Sequence, residues 1–272
     1  MMPSMWTLDE THRPESTQDQ LAERIVARHA DDPVVPLALF SASQANGRGS
    51  HGRQWAQAPD SVAVTCAWPL SEELAGQVLT ADTPWPVHLT GAVLRAVEAT
   101  VGPLAELEIK WPNDLWLGQK KVGGLLVERR RLAGHWWWLI GVGFNGRWAG
   151  CCPLDFSAIG LFDALGKEFS SQKATDLARP IAFAVLGWLS DWQRSASPAD
   201  REDFLRQSMA FCQQRDALKG HAVEVRLANG QQVTGLAQGL ADNGAFLLST
   251  PSGVQCFRLG EARILRLNQE MA

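Results

Sequence analysis

Cysteine is scarce in this chain of 272 residues, with only five residues, at positions 66, 151, 152, 212 and 256. Their spacing does not match a metal site, and Cys151 and Cys152 are adjacent, which is poor geometry for a disulfide between them. The scarcity argues against a disulfide-stapled or zinc-bound fold, and we expect the cysteines to be reduced.

An excess of positive charge and a long hydrophobic run are absent as well. Lysine and arginine number 25 against 29 aspartates and glutamates, with a formal net charge of −4 and a pI near 5.9, so the basic footprint of a nucleic-acid-binding protein is missing. No stretch approaches the roughly 18 apolar residues of a membrane span. The N-terminus, with Asp9 and Glu10, lacks the layout of a signal peptide. We expect a cytoplasmic protein with no DNA partner and no membrane partner.

The composition that is present suits a globular α/β (α+β) protein. With 46% hydrophobic and 20% charged residues, the chain can bury a full core and fits one large domain or two unequal domains. Apolar periodicity and turn residues predict a mixed sheet with covering helices. The predicted helices span about 16–28, 87–101, 175–195 and 200–213, and the predicted strands span 34–40 and 61–68 and run through residues 110, 122 and 138.

The C-terminal part of the chain has a different pattern. Short apolar alternations from residue 221 onward are separated by three hairpin signals, Asn229-Gly230, Asn243-Gly244 and Ser252-Gly253. This pattern predicts a small SH3-like β-barrel that begins near Lys219-Gly220. The predicted organisation is an N-terminal extension at 1–15, a large domain at 16–217 and the barrel at 218–272.

A glycine-rich, basic segment runs from Gly47 to Trp55, with the sequence Gly-Arg-Gly-Ser-His-Gly-Arg-Gln-Trp. Its three glycines leave the loop flexible when empty, whereas Arg48 and Arg53 supply fixed positive charge and planar donor forks for a carboxylate or phosphate. The spacing matches neither a Rossmann fingerprint nor a P-loop. The segment indicates a lid over an anionic ligand, although taken alone it also fits an ordinary solvated loop.

A second polar segment lies far along the chain. Lys110 ends a predicted strand that Pro112 stops, and Asn113-Asp114 are turn residues. In the next predicted strand Gly123-Gly124 interrupts an apolar run, as glycines do where a ligand or another backbone approaches closely. Each feature alone fits a surface lysine or a packing glycine, but together with the loop they indicate a ligand site.

The three consecutive tryptophans at 136–138 allow two interpretations. They provide either a stacking platform for a base or packing for the core. Strand alternation places Trp137 opposite the other two, which favours packing.

The two polar segments together resemble the bacterial biotin protein ligases. The resemblance rests on the loop at 47–55, on Lys-Trp-Pro-Asn-Asp at 110–114 and on Lys-Val-Gly-Gly at 121–124. It extends over roughly residues 15 to 267. The further matching segments are Glu15-Ser16-Thr17-Gln18, Gln44 just before the loop, the strand at 61–68, Gly141-Val142-Gly143-Phe144-Asn145 and the C-terminal barrel.

The resemblance implies an ATP-dependent ligase that activates biotin as biotinyl-5'-AMP and transfers it to a lysine of a biotin carboxyl carrier protein, such as that of acetyl-CoA carboxylase. In this interpretation residues 16–217 are the catalytic domain, and the barrel closes over nucleotide and docks the protein substrate. Lys110 is expected to bridge the biotin carboxyl and the α-phosphate, and Arg48, with Mg²⁺, to hold the phosphates. The residues expected at biotin are Ser16, Thr17, Gln18, Gln44, Arg48, Gly49, Ser50, Lys110, Gly123 and Gly124. Those expected at ATP or the adenylate are Gly47, Gly52, Arg53, Trp55 and Asn145.

One position departs from the family pattern, which usually has a basic residue where this chain has Ser50. Retention of the adenylate is therefore in question, and His51 is a candidate for compensating because an imidazole donates to phosphate. A non-catalytic biotin sensor is the alternative that Ser50 raises. A lipoyl or octanoyl ligase or transferase of the same fold is the other alternative, although Lys-Trp-Pro-Asn-Asp followed by Gly-Gly favours biotin.

The sequence before Ser16 bears on DNA binding. Many bacterial relatives carry an N-terminal winged helix-turn-helix, but about 15 residues precede Ser16, and three helices of roughly 11 residues each need more than twice that length. We expect a ligase without its own DNA-binding domain. The sequence leaves open whether it is a monomer or a homodimer, and which residues bind metal.

Overall fold

A seven-stranded mixed sheet forms the centre of the protein. The computed structural model describes residues 6–28, 32–72, 84–148, 158–166, 169 and 171–268. The strands are β1 (Leu8–Glu10), β2 (Leu37–Ser41), β3 (Asp60–Leu70), β4 (Leu107–Lys110), β5 (Asp114–Leu117), β6 (Lys120–Leu132) and β7 (His135–Arg147). Their order is β1-β2-β3-β7-β6-β5-β4, with β1 parallel to β2 and the other neighbours antiparallel.

Five α-helices are described: α1 (Thr17–Val26), α2 (Trp85–Val101), α3 (Leu161–Leu165), α4 (Ala178–Arg194) and α5 (Pro198–Gln214). Helix α1 packs on one face of the sheet, where Leu21 and Ile25 meet Leu139. Helices α2 and α4 pack on the opposite face over a much larger core, and α5 packs against both of them. Trp137 lies in the small cluster under α1 and Trp138 in the large core, so the three tryptophans pack on opposite faces, as strand alternation predicts.

The C-terminal region is a five-stranded antiparallel sheet. Its strands are β8 (Ala222–Leu227), β9 (Gln232–Leu240), β10 (Phe246–Thr250), β11 (Gly253–Phe257) and β12 (Ala262–Asn268), in the order β11-β10-β9-β8-β12. The glycines of the three predicted turns, Gly230, Gly244 and Gly253, all have φ between 73° and 117°, which is the left-handed region that glycine tolerates. Among the described residues, no strand pair between β11 and β12 closes the sheet into a barrel.

The fold class and the order of elements agree with the sequence-based expectation, but some details differ. Strand β1 lies in the segment predicted as an extension, and α1 ends at Val26 rather than near Arg28. Ser16 stands at the N-cap of α1, but its side chain makes no capping hydrogen bond. Cys66, Cys212 and Cys256 are free thiols, whereas residues 151 and 152 lie outside the described residues. Within the described ranges, none of the helices has the length and hydropathy that crossing a bilayer requires.

Candidate functional site

A cleft with about 830 Å³ of empty space, its open mouth included, lies between the start of α1, the loop at 44–56 and strands β5, β6 and β7. Most of the residues expected from the sequence line it. These are Ser16, Thr17, Gln18, Gln44, Arg48, Gly49, Ser50, Arg53, Trp55, Gly124 and Asn145. The structure therefore brings the beginning of the chain, the glycine-rich loop and three strands into one site.

One end of the cleft is neutral and polar, and the first turn of α1 builds it. The backbone N–H and the hydroxyl of Thr17 both donate to Oε1 of Gln44, at 2.8 and 3.1 Å, and the Thr65 hydroxyl donates to Thr17 Oγ1 at 2.9 Å. Because helix α1 leaves the N–H groups of its first turn without intrahelical acceptors, Gln44 supplies one. Thr17 is 3% exposed, so this end is rigid and nearly dry.

Gln18 extends the neutral end across the sheet. Its amide nitrogen donates to the carbonyl oxygens of Leu126 and Leu139, at 3.3 and 3.2 Å. Gly141 makes room for it, because a Cβ at that position would lie 2.9 Å from Gln18 Cδ. A glycine in the middle of β7 is thus explained by the approach of a polar side chain.

Trp55 forms an aromatic wall of the cleft. The loop folds back on itself, with the Trp55 N–H donating to the Gly47 carbonyl at 2.7 Å. The indole lies on Gly143, where a Cβ would be 2.6 Å from the ring, and Lys121 Nζ is 5.2 Å from its centre. Gly141 and Gly143 are therefore two glycines on one face of β7, each of which makes room for a different part of the site.

Arg48 is held in a network of ion pairs. Its guanidinium donates to both oxygens of Glu128, at 2.9 and 3.1 Å, and to Asp19 at 3.0 Å. Arg130 contacts the same two carboxylates. These contacts connect the glycine-rich loop to α1 and β6. Arg48, which the sequence assigns to phosphate, is therefore already paired with two carboxylates.

Asp114 links two lysines at the other end of the cleft. Its Oδ1 accepts from Lys121 Nζ at 2.5 Å and its Oδ2 from Lys110 Nζ at 3.4 Å. Burial alone would raise the pKa of Asp114, but the charges of Lys121 and Lys110 outweigh burial and hold the pKa below its usual value. Burial lowers the pKa of the Lys110 ammonium, an effect that Asp114 opposes. The three groups together carry one net positive charge.

Four expected site residues do not line the cleft: Lys110, Gly123, Gly47 and Gly52. Lys110 lies behind Asp114, whereas Lys121 is the lysine that faces the cleft. A Cβ at Gly123 would lie 2.7 Å from Phe144, so this glycine makes room for the core rather than for a ligand. The roles expected of Lys110 and Gly123 at biotin stay predictions. Lys121 was missed, although its position directly before Val-Gly-Gly was the available signal.

Ser50 and Arg53 are neighbours at the mouth of the cleft. Arg53 donates to the Ser50 carbonyl at 3.3 Å and to the Ser50 hydroxyl at 3.2 Å. Ser50 therefore positions the guanidinium of Arg53 and supplies no positive charge of its own. The side chain of His51 lies outside what the structure describes, so its proposed compensation stays a prediction.

Asn145 gives the cleft a buried polar atom that a ligand can use. The residue is 2% exposed, and its Oδ1 accepts no hydrogen bond from any described residue. A buried acceptor of this kind is costly unless a ligand or water satisfies it.

The donor set for a metal in the cleft is small. The described ranges contain no cluster of three or more His, Cys, Asp or Glu side chains that suits a metal ion. Asp114 is the single carboxylate among the described residues that line the cleft. One carboxylate fits a Mg²⁺ that is held mainly by substrate phosphates and water, and does not fit a resident metal.

Comparison with known proteins places these observations in a family. The model of the biotin/lipoate A/B protein ligase family matches residues 13–145, and the model of the biotin protein ligase C terminal domain matches residues 220–261. The biotin–[acetyl-CoA-carboxylase] ligase of Mycobacterium tuberculosis is 28% identical over 269 residues, which are 95% of this chain and 89% of that protein. The enzyme of the same description from Paracoccus denitrificans is 27% identical over 229 residues, which are 82% of this chain and 88% of that protein.

A solved structure supports the fold. The biotin protein ligase from Aquifex aeolicus in complex with biotin and ATP superposes with a TM-score of 0.73, at 21% identity, over 96% of this chain and 98% of that one.

Proposed function

Because the chain belongs to the biotin/lipoate A/B protein ligase family, we propose that it is an ATP-dependent biotin protein ligase, which forms biotinyl-5'-AMP and transfers biotin to a lysine of a biotin carboxyl carrier protein. The observation that carries the proposal is a single cleft with a neutral, buried polar end at Thr17 and a cationic end at Lys121. Biotin has the matching shape, with an uncharged ureido ring at one end and a carboxylate at the other.

The first step joins two anions, and the cationic end of the cleft serves it. The biotin carboxylate attacks the α-phosphorus of ATP, a P–O bond to pyrophosphate breaks, and an acyl-phosphate anhydride remains. Lys121 lines the cleft, and in this proposal its ammonium contacts both the carboxylate and the α-phosphate, screens their repulsion and stabilises the charge of the transition state. Lys110 acts through Asp114 as a positioning residue that keeps Lys121 in place.

Mg²⁺ belongs to the proposal as a companion of the nucleotide. Asp114 would hold it together with phosphate oxygens, and the ion would neutralise phosphate charge when bound. Arg48 joins the phosphates only when it exchanges Glu128 or Asp19 for them.

In the second step, the amine of the acceptor lysine attacks the carbonyl carbon of the adenylate and AMP leaves. Ordering of the loop at 47–55 excludes water from the adenylate until the acceptor arrives. The enzyme acts in the cytoplasm on the carrier domain of a biotin-dependent carboxylase, without a DNA or membrane partner.

The test is mass spectrometry of a purified carrier domain after incubation with the full chain, biotin and MgATP. We expect one biotin per carrier, together with biotin-dependent release of pyrophosphate in the absence of the carrier. Parallel reactions contain lipoate or octanoate in place of biotin. Labelling with lipoate or octanoate but not with biotin contradicts the proposal, and so does binding of biotin without any pyrophosphate release.

A further inference from the structure

The glycine-rich loop leaves the central sheet between β2 and β3, and a side chain bridges its base. The backbone pairing of β2 with β3 ends at Ser41 and Ala63. Pairing between the two arms of the loop begins again further out, where the Trp55 N–H donates to the Gly47 carbonyl at 2.7 Å. The side chain of Gln57 lies between these two pairings and connects the arms.

The amide of Gln57 forms two hydrogen bonds with the opposite arm. Its Oε1 accepts from the Gln44 N–H at 2.8 Å, and its Nε2 donates to the Ala42 carbonyl at 2.8 Å. Because an N–H group only donates and a carbonyl only accepts, these partners also fix the orientation of the amide. The side chain offers the donor and the acceptor that a backbone peptide group would offer, so it takes the place of a strand pairing.

Gln44 is the residue of the cleft that this bridge holds. Gln57 binds its backbone N–H, and its own Oε1 accepts from the N–H and the hydroxyl of Thr17. Its Nε2 lies close to Gly47, where a Cβ would be 2.8 Å away. Gln44 is thus fixed at its backbone and at both ends of its amide, and Gly47 makes room for it.

Gln57 supports the neutral end of the cleft from behind. It is half-buried, and it is not among the residues that line the cleft, whereas Gln44 is. The arm that carries Gln44 also pairs on its other side with the segment that leads into α1, since the N–H groups of residues 45–46 donate to the carbonyls of residues 14–15 at 2.8 Å. A shift of this arm would therefore move Gln44 relative to the start of α1.

We propose that Gln57 is a positioning residue for biotin: it holds the backbone of Gln44, so that the amide of Gln44 stays aimed at Thr17. The inference rests on the proposed function, which places the ureido ring of biotin at the neutral end. A side chain forms the bridge, so one substitution removes it and leaves every residue that lines the cleft unchanged. The contribution of the bridge can therefore be measured by itself.

The test compares two substitutions in the full chain. Gln57→Met keeps the length of the side chain and removes both hydrogen bonds, whereas Gln57→Glu keeps an acceptor for the Gln44 N–H and loses the donor to the Ala42 carbonyl. The measurements are the Kd of biotin by calorimetry, kcat and the KM of biotin in biotin-dependent pyrophosphate release, and hydrogen exchange of the Gln44 amide without ligand. Melting temperatures check folding. Should Gln57→Met not fold, Gln57→Asn, with a side chain too short to keep both bonds, is measured in its place.

The matched control is Gln207→Met. The amide of Gln207 is exposed and donates to Asp203 within α5, so the control makes the same chemical change away from the cleft. We expect its Kd and KM of biotin to stay within about twofold of the unsubstituted chain.

We expect Gln57→Met to raise the Kd and the KM of biotin about tenfold, the scale of one or two neutral hydrogen bonds. The cationic end is untouched, so kcat should change by less than about twofold. Gln57→Glu should raise both constants by about threefold or less, because the bond from the Gln44 N–H is kept. Exchange of the Gln44 amide should be faster in Gln57→Met than in Gln57→Glu, since a hydrogen bond protects an amide from exchange.

Three results overturn the inference. One is an unchanged Kd of biotin in folded Gln57→Met, even with faster exchange at Gln44, because the bridge is then only structural. Another is a lower kcat with an unchanged KM of biotin. The third is an equal loss of affinity in Gln57→Met and Gln57→Glu, which assigns the effect to the Ala42 contact. If the unsubstituted chain binds biotin without releasing pyrophosphate, the proposed function fails, and the Kd of biotin still decides the role of Gln57.

Discussion

The two ends of the cleft are built by different physical means. At the neutral end Thr17, Gln18, Gln44 and Thr65 form hydrogen bonds with each other and with sheet carbonyls. At the cationic end the contacts are ion pairs, of which Asp114 with its two lysines is the centre. The hydrogen bonds of the neutral end are already formed without a ligand, whereas in the proposed function substrate anions compete with Asp114 for the cations of the other end.

The difference has a consequence for energetics. The neutral hydrogen bonds are already formed before a ligand binds, so little free energy is needed to maintain them. We therefore expect the neutral end to contribute mainly to the affinity and orientation of the ligand. Ion pairs keep charged side chains in a partly buried site despite the cost of removing those charges from water. The cations held in this way can then interact favourably with the negative charge of a transition state. We therefore expect substitutions at the cationic end to reduce the rate and substitutions at the neutral end to reduce binding.

The largest effect is expected from Lys121→Ala. Removal of a donor aimed at developing charge costs about 10²–10³-fold in rate, so adenylate formation should fall by that factor while biotin binding changes little. The measurement is biotin-dependent pyrophosphate release alongside calorimetry with biotin. Lys120→Ala is the control, because Lys120 is adjacent and exposed.

Lys110→Ala tests whether Lys121 contacts the reacting anions and Lys110 only positions it. It removes one of the two cations that hold Asp114, so we expect a loss of about tenfold, the scale of one charge-assisted contact. A folded Lys110→Ala protein that is more impaired than Lys121→Ala would return the bridging role to Lys110, as the sequence alone had indicated.

The position of Lys121 in the wall of the cleft, where the sequence led us to expect Lys110, shows what sequence reasoning can and cannot predict. The strand, the turn at Asn113 and the following strand were all foreseeable from apolar runs and turn residues. The register between β5 and β6 shifts next to Leu115 and Trp116, so that Val122 is an extra residue on β6. Such a bulge re-aims neighbouring side chains, and no local pattern reveals it. The sequence therefore located the segment but not the side chain that lines the cleft.

Contacts between residues that are far apart in the sequence were equally impossible to predict from local patterns. Arg48 is easily recognised as a cation for an anion, but its partners Asp19 and Glu128 lie 29 and 80 residues away. Strand β1 was missed for a related reason, since three residues carry too little periodicity to predict a strand, and its pairing with β2 and the salt bridge from Asp9 to Arg24 are long-range contacts. In contrast, the hairpin glycines of the C-terminal sheet were predictable because their backbone conformation is a local requirement.

Two glycine substitutions on β7 test how side-chain packing at each end of the cleft affects its function. Gly143→Ala pushes the new methyl group into Trp55, and Gly141→Ala pushes it into Gln18. Each overpacked contact costs about 1–3 kcal/mol. We expect Gly141→Ala to weaken biotin binding and Gly143→Ala to shorten the lifetime of the adenylate by loosening the loop. Calorimetry and release of preformed adenylate measure the two effects, and equal effects of both variants on both measurements would contradict the division.

Thr17→Val tests the neutral end with a smaller change. It removes the hydroxyl that donates to Gln44 and accepts from Thr65. The buried hydroxyl of Thr65 then lacks its acceptor, which costs about 1–3 kcal/mol. Biotin affinity is expected to fall about tenfold or more, with the rate at saturating biotin nearly unchanged. Thr100→Val is the control, because that hydroxyl bonds a carbonyl in its own helix at an exposed position. A lower rate with intact affinity would show that Thr17 acts on the chemistry.

The smallest expected effect belongs to Ser50→Arg, at the mouth of the cationic end. An arginine there makes charge-assisted bonds of about 1.5–3 kcal/mol to the adenylate phosphate, against about 0.5–1.5 kcal/mol for a serine hydroxyl. The substitution also removes the hydroxyl to which Arg53 donates at 3.2 Å, so part of the gain is lost. We expect release of preformed adenylate to slow about threefold to tenfold and labelling of a bystander protein such as serum albumin to fall, while carrier labelling is kept. Ser50→Ala is the matched variant, since it frees Arg53 without adding charge, and it should speed release slightly. If neither substitution changes the adenylate lifetime, position 50 does not contact the phosphate, and retention depends on the other cations of the mouth.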